Sequence, residues 1–236
     1  MMTAHNKVLM ALSVLFDKTD LTQFLYLVVF VALLMIIAFF GSANQKIDLY
    51  ILVIISLSAI VFAVKRLIAR LFEIKLSNKV WISGLIFSAV ATLIFSALSL
   101  PVVVPILNTQ GYQRLKTLRG LKKGEVTIKE KWEVSVFSSM ALLAFSALFF
   151  FAAYKYNLQP MFYGGSFLAI YTFINMLPYD KFDGAFLAYH NAVGQGLFTL
   201  LALLFVVLSY VSYQAMLGAF AVFVIFGLLS YRLKLW

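Results

Sequence analysis

The sequence predicts an all-α integral membrane protein, and three observations carry that prediction. Of 236 residues, 64% are apolar and only 12% charged, against about 45–50% and about 25% in soluble domains. Mean hydropathy is +0.99. Long charge-free stretches alternate with short charged ones, several of them matching the ~20 apolar residues a helix needs to cross a hydrocarbon core about 30 Å thick. Together these exclude a water-soluble monomer, a disordered chain and a nucleic-acid module that happens to be basic. The net charge of +10 then reads as a topology signal and not as a polyanion site. There is no cysteine, which removes disulfides, thiolate metal sites and cysteine nucleophiles.

Seven apolar segments follow in order: Leu21–Phe40, Leu49–Leu67, Val80–Leu107, Val134–Tyr154, Met161–Leu177, Val193–Val211 and Ala215–Tyr231. The first has a run too long for the 7–15-residue apolar region of a signal peptide and reads as a retained anchor. The second is short, but Lys65, Arg66 and Arg70 can snorkel and let its helix continue. The last two come from one charge-free interval, residues 184–231, and need a turn near Ser212-Tyr213-Gln214. No repeat or second domain interrupts residues 1–236. They form a single polytopic membrane domain whose only sizeable polar region is the basic loop 108–133.

Charge counting separates six spans from seven. If every segment crosses, Lys and Arg divide 11 against 8 between the two sides; if Val80–Leu107 enters and leaves on one side, they divide 17 against 2. The positive-inside rule favours the second arrangement, with both termini cytoplasmic in a plasma-membrane protein. Gly84, Ser83, Ser88, Ser96, Ser99, Pro101 and Pro105 suit broken backbone at membrane depth. A kinked crossing helix is the competing reading, since 28 residues are tight for two limbs. In the polar loop, Leu115, Leu118 and Leu121 recur among Arg114, Lys116, Arg119, Lys122 and Lys123. That pattern is one of a short basic helix on anionic lipid, or of a solvated loop that fixes orientation. Gly124–Lys129 alternates like a short strand.

The most informative residues close the fifth segment: Asn175-Met176-Leu177-Pro178-Tyr179-Asp180-Lys181-Phe182-Asp183-Gly184. The plain account is interfacial carboxylates at a helix end, with Pro178 and Gly184 as terminators. The order Asn-x-x-Pro-x-x-x-x-Asp-Gly after an apolar run also resembles the second signature of the site-2 protease family, intramembrane zinc metallopeptidases in which this aspartate is a zinc ligand. Upstream, Leu67-Ile68-Ala69-Arg70, Ile74-Lys75 and Trp81-Ile82-Ser83-Gly84-Leu85 are similar to the stretch after the His-Glu-x-x-His helix of archaeal members. The resemblance covers about residues 50–190. It implies a site-2-protease-like core, with Asp183 at the ligand position and Asn175 and Pro178 at the helix break before it.

The chain departs from that family where the chemistry lies. A zincin-type site needs two histidines one helical turn apart and a glutamate beside the metal-bound water. The resemblance places Val61-Phe62-Ala63-Val64-Lys65 there, and the only histidines are His5 and His190. No Gly-Pro-x-x-Asn element is evident near Glu130-Lys131-Trp132-Glu133. His190, seven residues after Asp183, falls on the same helical face but completes only two ligands. No phosphate loop or Gly-x-Ser-x-Gly elbow is present, and no Ser-Lys pair is singled out. The expectation is therefore no catalytic residue, no metal and no cofactor, with a degenerate motif of Asn175, Pro178, Asp183 and Gly184 and an ion pair between Lys65 and Asp183. The function expected is a non-catalytic binding scaffold, chaperone or subunit for another integral membrane protein, in contact with membrane lipids and not with nucleic acid. A hydrolase with an unrecognised site and a transporter or lipid-handling subunit are the alternatives.

Overall fold

The computed structural model describes residues 18–38, 47–94, 107–114, 125–179 and 182–232. Its helices are α1 (Lys18–Ala38), α2 (Ile47–Leu71), α3 (Ile82–Ile94), α4 (Ile128–Tyr156), α5 (Gln159–Asn175), α6 (Asp183–His190), α7 (Ala192–Val211) and α8 (Tyr213–Arg232). Two strands, β1 (Ile74–Val80) and β2 (Leu107–Arg114), interrupt them. Four helices are long and apolar enough to cross a membrane: α2 from Ile51, α4, α7 and α8. The chain is thus a mainly helical protein built for a membrane. This agrees with the all-α expectation, to which the structure adds one antiparallel pair, β1–β2.

Helix α4 is the hub, packing against α2, α5, α6 and α8, while α5 also meets α2 and α7. Small residues bring α4 and α5 together: a Cβ on Gly164 or Gly165 would overlap the rings of Phe149 and Phe150, and Ser146 Oγ donates to Gly165 O at 2.7 Å. Close backbone approach of this kind is the main source of helix association where lipid removes the hydrophobic drive. One buried cluster joins α1, α2 and α5 through Phe30, Leu57, Phe62 and Phe167. A second joins α4, α5, α7 and α8 through Phe150, Ala169, Phe198, Phe205 and Phe223. The turn between α7 and α8 falls at Ser212, within the tripeptide expected.

The polar region differs from its reading. Residues Gly124–Lys129 do not form a strand where they are described. Thr127 caps α4 by a capping box: its Oγ1 accepts from Glu130 N at 3.3 Å while Glu130 Oε2 accepts from Thr127 N at 3.0 Å. Two reciprocal bonds at a helix start outweigh a four-to-six-residue alternation. Arg114 ends β2, and Lys116, Arg119, Lys122 and Lys123 lie outside the described residues.

The segment Val80–Leu107 is bounded by the sheet. Val80 and Leu107 are cross-strand partners, so the excursion that begins with α3 ends beside its own start. The 13 residues of α3 extend about 20 Å, short of a full hydrocarbon crossing. Glu73 makes the reversal from α2 into β1 possible by adopting a left-handed conformation, φ 60°.

Candidate functional site

The C-terminal half of α2 carries Val61, Phe62 and Val64 into the interior, all buried. Lys65 follows on the same helix and points its ammonium at Asp183 Oδ1, forming an ion pair across 118 residues of sequence. The carboxylate is inaccessible, with its side chain 4% exposed against 18% for the lysine. Its other oxygen, Oδ2, accepts from Asn175 Nδ2 at 2.8 Å. Asn175 Oδ1 in turn accepts from the backbone N–H of Asp183 at 3.3 Å. Phe182 offers no side-chain cap to α6, so Asn175 caps it from the preceding helix. A carboxylate in the first turn of α6 also lies at the positive end of the helix dipole.

The break that makes this contact possible is local chemistry. Helix α5 stops at Asn175, because Pro178 pushes Leu177 out of the α region and lacks an N–H of its own. The carbonyl of Met176, orphaned at that end, accepts Gln195 Nε2 at 3.0 Å and Thr199 Oγ1 at 3.0 Å. Gly184 is required by space: a Cβ there would overlap the backbone carbonyls of Met176 and Leu177. Thus Asn175, Asp183 and Gly184 hold the two limbs of the break together, and Pro178 creates it.

Aromatic rings wall the site. Tyr112 of β2 carries Lys65 Nζ 6.0 Å and Lys131 Nζ 5.4 Å from its ring centroid. Trp81 packs on Tyr179 and Phe182 at 6.2 and 5.8 Å. His190 closes the far end of α6, its ring 5.9 Å from Trp132. Its Nε2 is shut off from solvent and has no hydrogen-bond partner among the described residues. Burial, with Lys129 nearby, holds the imidazole below its ordinary pKa. Gln195 and Thr199 were not singled out from sequence, although two polar side chains four residues apart at the start of a membrane-length helix were a readable signal. Tyr112 had no such signal, because its place depends on β1–β2 pairing.

A zinc ion does not fit this donor set. Asp183 supplies one oxygen donor already engaged, and the lysine ammonium has no lone pair to give. His190 lies at the opposite end of α6. No three His, Cys, Asp or Glu side chains converge among the described residues; His5 falls outside them. What the arrangement does chemically is neutralise a buried carboxylate and lock a helix break.

Compared with known proteins, the chain matches no family model, no curated protein and no solved structure.

Proposed function

We propose that this chain is a non-catalytic, site-2-protease-like membrane protein that serves as a scaffold, chaperone or subunit for another integral membrane protein. The observation that carries this reading is the Lys65–Asp183 pair. The resemblance puts these two residues at positions that would hold zinc in a protease, and here one fixed ammonium supplies positive charge to the carboxylate in place of a metal. A buried ion pair can serve to fix one geometry even where it adds little net stability. A site-2-protease-like core without the zinc chemistry would have binding as its use.

The paired ends of Val80–Leu107 support a re-entrant segment, and with it the 17-against-2 charge division. Both termini are then cytoplasmic, as is the side of the membrane bearing the ion pair. A plasma-membrane location is part of the same proposal.

The decisive experiment is purification of the full chain in mild detergent, with metal analysis and identification of stoichiometric co-purifying membrane proteins. Well under one zinc per chain is expected, because a lone carboxylate falls far short of a three-ligand site. Stoichiometric zinc that disappears in Asp183→Ala, or hydrolysis of a helical membrane substrate, overturns the reading.

A further inference from the structure

We propose that the cleft between α2 and α4 is a phospholipid site, holding one acyl chain lengthwise with the lipid phosphate at Lys155. The cleft has a volume of about 310 Å³. Its floor is Val53, fully buried, with Phe149 drawn in over Gly164. Its lips, Leu52 and Leu148, are 56% and 61% exposed, so it opens sideways. Both bounding helices are of membrane length, which puts that opening into the hydrocarbon region.

Size selects the occupant. From Leu52 to Ile60 the cleft follows α2 for about 12 Å. A helix about 10 Å across could rest only a ridge of side chains against a slot of this volume and could not enter it. A single acyl chain is slender enough. Charge selects the end. Lys155 is exposed and three residues beyond the lining residue Ala152 on α4, at the end of the cleft where Leu52 and Met161 also lie. Its Nζ rests 5.6 and 5.4 Å from the ring centroids of Phe151 and Tyr156. An ammonium on an aromatic shelf, one turn beyond an apolar slot, matches a phosphate one step above its chain. This inference rests on the membrane-length helices and not on the scaffold reading.

The probe is 1-palmitoyl-2-oleoyl-phosphatidylglycerol, titrated into the delipidated full chain in mild detergent and counted by native mass spectrometry. Wild type is expected to retain one lipid per chain. Ser56→Phe, which fills the slot at mid-length, should lower its affinity at least tenfold. Lys155→Ala should lower it about fivefold, the worth of one basic residue at a lipid surface. Val29→Phe, on an exposed face of α1, should change nothing. Should Ser56→Phe not fold, Ser56→Leu and Lys155→Ala carry the test. Unchanged affinity in the slot and lysine variants overturns the proposal, and so does an equal loss in Val29→Phe, which marks a non-specific annulus. A disulfide-linked dimer of Ser56→Cys at saturating lipid overturns it as well, since a second copy then occupies the cleft.

Discussion

Breaking the Lys65–Asp183 pair from either side should produce unequal losses that largely cancel when both residues change. Lys65→Met strands a carboxylate whose side chain is 4% exposed and whose remaining partner is Asn175. Removing one partner of a buried pair costs about 3–5 kcal/mol. The loss in Lys65→Met should fall in that range. Asp183→Asn takes the carboxylate from an ammonium that is 18% exposed and can turn toward water, so its loss should be smaller, about 1–3 kcal/mol. The double variant leaves a neutral amide beside Asn175 and an apolar chain beside Tyr112, and should recover at least ~1.5 kcal/mol relative to the sum of the singles. Thermal unfolding in detergent reads this, at roughly 2–4 °C per kcal/mol for a chain of this size. If the single effects add, the two charges are not coupled.

Gly184→Ala should cost more than about 2 kcal/mol, because its methyl would overlap fixed carbonyls of Met176 and Leu177. Gly196→Ala, with nothing within 4 Å of the new Cβ, should instead be neutral or stabilising by up to about 1 kcal/mol, and melting both variants compares them. His190 has a lowered pKa, so the unfolded chain takes up a proton before the folded one as pH falls through about 6.5. Its contribution to stability is full above that pH and is lost as pH drops toward the folded value. His190→Gln should flatten the stability–pH curve in that window, and an unchanged slope would dismiss the imidazole as its source. Single cysteines placed in 65–79 and 108–133 should react with an impermeant thiol reagent from the same side of the membrane, whereas labelling from opposite sides removes the re-entrant segment.

How much of this molecule could be read in advance depended on the range of the physics involved. Helices such as α2, α7 and α8 were legible because a charge-free run of membrane length has no other way to satisfy its backbone in lipid. The break after Asn175 was legible too, since Pro178 acts on its immediate neighbours. Short-range pattern misled at Gly124–Lys129, where alternation suggested a strand and a capping box at Thr127 started a helix. The β1–β2 pair was not foreseen, because Ile74–Val80 and Leu107–Arg114 become a sheet only when each finds the other.

The sequence by itself determined that the chain belongs in a membrane, where its main helices run, and that no histidine stands beside a glutamate on α2 to build a zinc centre. Those are properties of composition and of residues a few positions apart. Tertiary structure alone decided that Gln195 and Thr199 satisfy Met176, that Asn175 caps α6, and that Tyr112 lies over Lys65. The Lys65–Asp183 pair was expected from the resemblance, and the fold is what brings the two residues together across 118 positions. Burial and hydrogen-bond partners are set by which helix faces meet, and that depends on every packed side chain between them.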